Sequence, residues 1–246
     1  MAPYMPMGPR GVRPPCWSGF NYSSILNLVF FLLVAVGFSL TAFISHWGFV
    51  TPAWGHLLIA AAPVGLFLVL LLLSLQKDMR GALSVLLSCL LAVACFTANA
   101  GNLLFMCFTQ VYPTTNTHYY TRMLRIYGYP DDGLNVFPRR IPEDALLAEM
   151  YHQPQFLQGS GIAELLVQYS PEDFAVELER VEALADADAS YMLDVGENFD
   201  ITITDTWEYF ICISEPGSDG SWNHGYAVGA AATRRDHYIL YFRHQW

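Results

Sequence analysis

The sequence predicts a three-span α-helical membrane anchor followed by an α+β domain, in which one helix lies on an antiparallel sheet. Three apolar runs of 20 or more residues fall within the first 112 residues, and strand-like alternation follows beyond residue 142. Residues 1–112 contain four basic and one acidic residue, whereas residues 113–246 contain eight basic and 21 acidic residues. The net charge therefore changes from +3 to −13, which separates a lipid-facing part from a water-facing part. An acidic domain of this kind disfavours both nucleic acid as a partner and adhesion to anionic lipid.

The chain divides into four predicted regions. Residues 1–23 form a tail rich in proline and glycine, which cannot bury a core and should be flexible. Residues 24–112 form the anchor, residues 113–142 a connector, and residues 143–246 the acidic domain. A secretory signal peptide is the alternative for the N-terminal end. The apolar run there is about 20 residues long, however, and a signal core has roughly 7–15.

The predicted spans are residues 25–45, 53–75 and 82–108. A helix rises 1.5 Å per residue, so about 20 residues cross a hydrocarbon core of about 30 Å. Pro63 lies inside the second span and predicts a kink that neighbouring helices would cover. Buried helices of a soluble protein are the alternative, but three such uncharged runs in succession are typical of membrane proteins. The bilayer is thus the first predicted partner.

The orientation follows from the basic residues beside the spans. The tail contains Arg10 and Arg13, the link after the second span contains Lys77 and Arg80, and the first link, residues 46–54, contains none. Basic residues stay on the cytoplasmic side. The N-terminus is therefore predicted to be cytoplasmic and the acidic domain extracytoplasmic, although two arginines, at positions 122 and 125, follow the third span and weaken the contrast.

A polar cluster lies within the third span and comprises Thr97, Asn99, Gly101 and Asn102. These residues could line a small polar cavity, or they could hydrogen-bond to the first two helices, which is the favoured interpretation. The interiors of the predicted spans contain no Asp, Glu, Lys or Arg. That composition disfavours an ion pump or a proton-coupled transporter.

The acidic domain begins with turns and two strands. Residues 129–133 read Tyr-Pro-Asp-Asp-Gly, a strong turn signal, and strands are predicted over 146–152 and 161–169. Ser170 is a helix N-cap, Pro171 takes the first helical position, and Asp173 completes a capping box. The apolar stripe of this helix consists of Phe174, Leu178, Val181 and Ala185. We therefore predict an amphipathic helix of about 15 residues on the sheet.

Four more strands are predicted after the helix, at residues 199–204, 207–213, 226–233 and 237–243. The run at 207–213 is mostly apolar and suits a central strand, and the short turns between the strands indicate antiparallel pairing. The order is β-β-α-β-β-β-β, a two-layer α+β domain.

Two segments and the capped helix together suggest a family. Residues 137–144 read Phe-Pro-Arg-Arg-Ile-Pro-Glu-Asp, and residues 151–159 read Tyr-His-Gln-Pro-Gln-Phe-Leu-Gln-Gly. With the aromatic strand at the C-terminus, they resemble uncharacterised bacterial proteins in which a similar domain follows an N-terminal membrane segment. The resemblance covers roughly residues 126–246. It implies no catalytic residues and no cofactor.

One segment has the composition of a calcium loop. Residues 186–197 supply oxygen ligands at loop positions 1, 3, 5, 9 and 12, namely Asp186, Asp188, Ser190, Asp194 and Glu197. Position 6, however, is Tyr191 where the sharp turn requires glycine, and a strand rather than a helix is predicted to follow. A solvated acidic loop is the favoured interpretation. No other metal or cofactor site is predicted, because the five cysteines and seven histidines show no ligand spacing.

No catalytic motif occurs in the sequence. The histidines at positions 224, 237 and 244 could meet Asp236 or Glu208 in space, but their spacing matches no known triad or metalloprotease helix. We therefore predict a non-enzymatic membrane protein whose outer domain binds a ligand or an envelope protein. The alternatives are an envelope enzyme with an unassigned site and a small accessory subunit of a membrane complex.

Overall fold

The structure is a computed structural model that describes residues 22–76, 82–110, 112–155, 160–186, 195–201, 206–215 and 225–246. The chain folds into two compact units. The first comprises Met1–Ala42 and Trp54–Leu104, and the second comprises Phe43–Ala53 and Phe105–Trp246. The link between the first two predicted spans therefore belongs to the same unit as the C-terminal domain.

The three predicted spans are confirmed as helices: α1 (Tyr22–Trp47), α2 (Trp54–Gln76) and α3 (Ala82–Thr109). Each is long and apolar enough to cross a membrane. Large apolar side chains on them face outward, as Val36, Leu58 and Leu83 do at 66, 74 and 78% exposure. Such surface is unfavourable in water and suits lipid. We conclude that the chain is a membrane protein.

The helices of the first unit pack through a small apolar cluster. Val34, Phe67 and Ala92, one from each helix, are buried together, and the rings of Phe30 and Phe67 meet edge to face with centroids 5.6 Å apart. Pro63 lies inside α2 without ending it. Pro63 is buried, as expected if neighbouring helices cover it, and the kink stays a prediction.

The second unit contains a five-stranded antiparallel sheet in the order β1-β2-β5-β4-β3. The strands are β1 (Leu147–Gln153), β2 (Gly161–Gln168), β3 (Glu208–Glu215), β4 (Tyr226–Thr233) and β5 (Tyr238–Gln245). Two short helices precede the sheet's last three strands, α4 (Tyr120–Ile126) and α5 (Pro171–Glu182), and 3-10 turns cover Thr117–Tyr119 and Leu134–Val136. The predicted α+β class is thereby confirmed.

Two details of the predicted sheet need correction. The strand predicted at residues 207–213 exists as β3 but lies at the edge of the sheet, and the central strand is β5. The apolar composition of β3 is explained by packing on both of its faces, since Ile211 is buried on one face while Phe210 and Ile213 pack on the other. Of the strand predicted at 199–204, Phe199–Ile201 lie outside any strand, and the rest falls outside the described residues.

The predicted capping box explains where α5 begins. Ser170 has extended backbone geometry, its Oγ accepts a hydrogen bond from the Asp173 N–H at 3.2 Å, and Pro171 starts the helix. Phe174, Leu178 and Val181 are buried against the sheet, as the apolar stripe predicts. The helix ends at Glu182, so the last predicted member of the stripe, Ala185, lies beyond it.

The segment predicted as a connector supplies part of the core. Met123, Leu134 and Phe137, all at residues 113–142, are at most 1% exposed and pack on the sheet face that α5 covers. Gly133 has φ of +74°, which closes the predicted turn, and a Cβ there would lie 2.9 Å from the Ile213 side chain. The opposite sheet face is covered by Val195 and Phe199.

Candidate functional site

The link between α1 and α2 is held against α4 by two arginines. Arg122 donates from Nε to the Phe49 carbonyl at 2.8 Å and from Nη2 to the Ser45 carbonyl. Arg125 donates from Nη2 to the His46 carbonyl at 2.9 Å. Ser45 and His46 belong to the last turn of α1, whose carbonyls have no partner within the helix. The guanidinium groups thus cap α1 at the end where the helix dipole favours positive charge.

Three further contacts fix this link within the second unit. The Ala53 N–H donates to Ser45 Oγ at 3.0 Å, and Thr51 Oγ1 donates to Gln110 Oε1 at 3.0 Å. The Arg125 guanidinium lies 4.7 Å from the centre of the Trp47 ring, a cation–π contact. We call residues 43–53, which comprise the last turn of α1 and most of the link, together with α4 the juxtamembrane face.

A basic cavity of about 500 Å³ opens on the juxtamembrane face. Its lining residues come from the link and from the segment around α4: His46, Pro52, His118, Tyr119, Thr121, Arg122 and Arg125. Partial burial lowers the pKa of Arg122, and the nearby charge of Arg125 lowers it further. The lining contains no carboxylate, so this part of an acidic domain is positive.

A second, smaller cavity of about 140 Å³ lies where the link meets the start of the sheet. Its wall is mostly apolar, and two polar rings, those of Tyr127 and His152, face each other with 3.1 Å between the hydroxyl and Nε2. Burial lowers the pKa of His152 to about 4, and the charge of Arg243 adds to that shift. Burial also raises the pKa of Tyr127. Both rings are therefore neutral at pH 7.

Arg243 lies in the same row of the sheet as His152, separated from it by the small side chain of Ala163. Its guanidinium lies 4.3 Å from the centre of the Tyr127 ring, and its Nη2 donates to Gln245 Oε1 at 3.0 Å. Nη1 is buried and has no hydrogen-bond partner among the described residues. Burial lowers the pKa of Arg243. The aromatic ring supplies the principal described contact for this charge.

A buried carboxylate lies on the sheet face opposite α5. Glu164 is fully buried, and its two oxygens accept from the Gly196 N–H at 3.0 Å, from Asn198 Nδ2 at 3.0 Å and from His244 Nε2 at 2.8 Å. Burial alone would raise the pKa of Glu164, but the hydrogen bonds and charge of His244 hold it below the usual value. Glu164 thus fastens residues 196–198 to the sheet, and we assign it a structural role.

A second buried network joins α5 to the sheet. The Tyr169 hydroxyl lies 2.7 Å from the Tyr241 hydroxyl, which donates to Glu177 at 2.6 Å, and Glu177 pairs with Arg180. Arg180 also donates from Nη1 to the Asn135 carbonyl at 2.8 Å. The carboxylate of Glu177 turns toward the sheet, where the Tyr241 hydroxyl donates to it.

The predicted calcium ligands are only partly described. Asp186 donates its N–H to the Ile211 carbonyl at 2.8 Å, and Glu197 is exposed. Asp188, Ser190 and Asp194 lie outside the described residues. Among the described residues no group of three or more His, Cys, Asp or Glu side chains could hold a metal ion. Calcium binding therefore stays an untested alternative to the solvated acidic loop that the sequence favours.

The polar cluster of the third span follows the favoured interpretation at one of its residues. Asn102 donates from Nδ2 to the His56 carbonyl at 3.0 Å, and His56 Nδ1 lies 2.8 Å from Asn102 Oδ1, which joins α3 to α2. The amide of Asn99 is buried and has no hydrogen-bond partner among the described residues. Gly37 of α1 lies beside it.

No described ion pair joins His237 or His244 to Asp236 or Glu208, the approach that the sequence leaves open, and His224 lies outside the described residues. His244 pairs with Glu164, while Glu208 pairs with Arg234 at 3.0 Å. His237 packs beside the Phe174 ring, with centroids 5.2 Å apart. Period-2 alternation places Glu164 and His244 on the same sheet face, but it cannot show that their strands are neighbours. The contact between Glu164 and His244 could be predicted only if the strand order were known.

Comparisons of the chain with protein-family models, with curated proteins and with solved structures find no match. The resemblance to bacterial membrane-anchored proteins therefore stays a prediction. The juxtamembrane face, the sheet edges and the buried groups described above are the features from which a function can be inferred.

Proposed function

We propose that this chain is a non-enzymatic integral membrane protein that presents its acidic domain at the extracytoplasmic surface of a bacterial cell envelope, where the domain binds another protein. One observation carries the proposal. The link between two spans folds as part of the domain, since Arg122 and Arg125 bind its carbonyls. The domain is therefore connected to the anchor at both ends of the link as well as through α3.

The orientation in this proposal rests on the charge near the spans. Four basic residues, in the tail and in the second link, favour the cytoplasm for those segments. Arg122 and Arg125 lie on the opposite side in this arrangement. Their side chains donate to backbone carbonyls of the link, and this structural use accounts for basic residues on the translocated side.

The outer edge of β1 is the surface we assign to the partner. His152 exchanges two backbone hydrogen bonds with Thr114, at 2.8 and 2.9 Å, so its backbone groups point away from β2. Because antiparallel strands alternate in this respect, the backbone groups of Ala148 and Met150 also point outward. Among the described residues no strand pairs with them. An extended segment of another protein could add to the sheet there.

The test is capture of a partner by the full-length protein from the cell's own membranes after cross-linking. Ala148→Pro removes an outward-pointing N–H and leaves the pairing with β2 intact, whereas Ala148→Val keeps that N–H and serves as the matched control. We expect the proline variant to lose the cross-linked partner and the valine variant to keep it, with equal thermal unfolding of the two. Equal capture by both variants would contradict the assigned edge.

The cavity beside His152 is the observation that favours a second candidate function, an envelope enzyme. Two titratable groups with shifted pKa values share a cleft there, an arrangement that active sites often have. The walls offer one imidazole and one phenol, however, and include no serine, cysteine, lysine or carboxylate. If the enzyme is correct, His152→Gln abolishes complementation of a deletion strain while partner capture persists. If the binding function is correct, Ala148→Pro abolishes complementation and His152→Gln does not.

A further inference from the structure

We propose that the basic cavity on the juxtamembrane face binds the phosphate of an anionic phospholipid headgroup from the adjacent leaflet. The site is formed by Arg122 and Arg125 with His46, His118 and Thr121. It is separate from the partner edge on β1, so either proposal can fail while the other holds.

The charge of the cavity is unbalanced. Among the described residues Arg180 pairs with Glu177, and Arg234 pairs with Glu182 and Glu208. No described carboxylate lies within ion-pair distance of Arg122 or Arg125, which bind backbone carbonyls instead. Carbonyl dipoles satisfy hydrogen bonds but do not cancel a formal charge. The cavity therefore keeps two positive charges in a domain that has an excess of carboxylates.

We place the cavity near the lipid headgroups, because residues at the ends of two candidate spans line it. Both His46 and Pro52 line the cavity. His46 lies in the last turn of α1, which ends at Trp47, and Pro52 lies just before α2, which begins at Trp54. The ends of two spans lie at the level of lipid headgroups. Trp47 and Trp54 are 53 and 67% exposed, as expected for an aromatic belt at that level. Lipid phosphates are thus the anions most concentrated around this cavity.

The hydrogen-bond donors of the cavity suit a phosphate. Arg122 uses Nε and Nη2 for the link carbonyls, and Arg125 uses its two terminal nitrogens toward His46. Nη1 of Arg122 and Nε of Arg125 have no hydrogen-bond partner in the described part of the chain and could donate to phosphate oxygens. The rings of His46 and His118 and the Thr121 hydroxyl add further donors. A volume of about 500 Å³ suits a whole headgroup.

The surrounding charge gives the site its specificity. Residues 113–246 contain 21 acidic residues, so the domain as a whole repels an anionic membrane surface. One basic cavity then selects the place at which an anionic lipid can approach. We therefore expect a small number of bound lipids per chain, in place of a diffuse layer.

The experiment uses the full-length protein in nanodiscs of phosphatidylcholine with increasing phosphatidylglycerol. Native mass spectrometry counts the retained lipids, and thermal unfolding reports their effect. Thr121→Glu adds a negative charge to the cavity wall at a residue that makes none of the arginine contacts, and Arg139→Gln with Arg140→Gln removes two exposed charges elsewhere as the control. We expect the T121E variant to bind phosphatidylglycerol about fivefold more weakly, and the control to match the wild type.

Three outcomes decide the proposal. Selective retention of phosphatidylglycerol that T121E removes supports it. Equal retention of phosphatidylcholine, or equal behaviour of T121E and wild type, overturns it. Inorganic phosphate at millimolar concentration distinguishes a lipid from a free anion, because displacement of the lipid by phosphate would overturn the assignment to a lipid. If T121E fails to fold, His118→Gln provides the second variant, with a smaller loss expected in the same direction.

Discussion

The two units of this protein differ in how fully the buried polar groups Glu164, Asn27 and Asn99 are supplied with hydrogen-bond partners. In the domain, Glu164 is fully buried and receives three donors, all of them from residues more than 30 positions away. In the anchor, Asn27 is 1% exposed and Asn99 also has a buried amide, yet neither amide has a hydrogen-bond partner among the described residues. The buried carboxylate of Glu164 therefore ties together distant segments of the domain, whereas in the anchor Asn102 joins two helices but the amides of Asn27 and Asn99 have no described partner.

The difference follows from what forms each unit. Helices in lipid satisfy their own backbone, and several polar side chains there bond locally, as Ser39 does to the Ala35 carbonyl and Thr41 to the Gly37 carbonyl. The domain instead brings together strands that are far apart in sequence. Its polar groups can be buried only if the pairing supplies partners. Substitutions at polar residues should therefore cost much in the domain and little in the anchor.

The largest effect is expected at Glu164. Glu164→Ala leaves the donors of His244 and Gly196 buried without an acceptor and removes the partner of the exposed Asn198, which should lower the free energy of unfolding by about 3–5 kcal/mol. Denaturant unfolding of the full-length protein in detergent, followed by tryptophan fluorescence, measures the loss. Glu164→Gln keeps the shape and should cost less. A loss below about 1 kcal/mol for the alanine variant would contradict the assigned role.

The next effect is the pH dependence that His152 gives to the domain. Its pKa is about 4 in the folded state against an ordinary 6.5, so the unfolded chain binds the proton more readily between these values. The stabilisation is complete above about pH 6.5 and is lost as the pH falls toward 4, with a total of about 3 kcal/mol.

Comparison of wild type with His152→Gln over that pH range isolates this contribution. The difference between their unfolding free energies should shrink as the pH falls, because the variant has no ring to protonate. A constant difference from pH 7 to pH 4 would show that His152 keeps an ordinary pKa in the folded protein.

A smaller effect is expected at the arginine caps. Arg125→Gln removes the charge that binds the His46 carbonyl and stacks on Trp47, and should cost about 1 kcal/mol. Hydrogen exchange of the link amides should speed up in this variant more than in Arg139→Gln, whose side chain is exposed. Unchanged exchange of the link amides would show that Arg125 does not hold the link in the domain, which would contradict the observation on which the proposed function rests.

The smallest effect is expected in the anchor. Asn27→Leu removes a buried amide without a described partner, so the free energy of unfolding in detergent should change by less than about 1 kcal/mol, and the variant can even be more stable. Asn102→Leu is the matched comparison, because it breaks two contacts with His56. A larger loss of unfolding free energy for Asn27→Leu than for Asn102→Leu would contradict the distinction between amides with and without described hydrogen-bond partners.

Local signals account for the parts of the fold that the sequence predicts well. The spans follow from apolar length, and α5 follows from Ser170, Pro171 and the stripe at Phe174, Leu178 and Val181. Alternation in β2 correctly separates the faces, since Leu165 packs under α5 while Leu166 packs on the other side. These features depend on residues that are close in sequence, so the spacing of apolar residues is enough to predict them.

The candidate site could not be predicted in the same way. Arg122 and Arg125 contact residues more than 70 positions earlier in the chain, and nothing in the local pattern distinguishes a capping arginine from an exposed one. The edge position of β3 likewise depends on strand order, which apolar composition does not encode. One signal was present, namely two arginines in the segment that follows the third span, in a domain otherwise rich in carboxylates.

The most direct test of the proposed topology is the labelling of single cysteines in intact cells with a membrane-impermeant maleimide, in a chain without native cysteines. Thr51→Cys lies in the first link, Glu172→Cys in the domain and Met79→Cys in the second link. If the first link and the domain share the extracytoplasmic side, the first two react together in intact cells and the third reacts only after permeabilisation. Reaction of Met79→Cys in intact cells, or opposite behaviour of Thr51→Cys and Glu172→Cys, would contradict that topology.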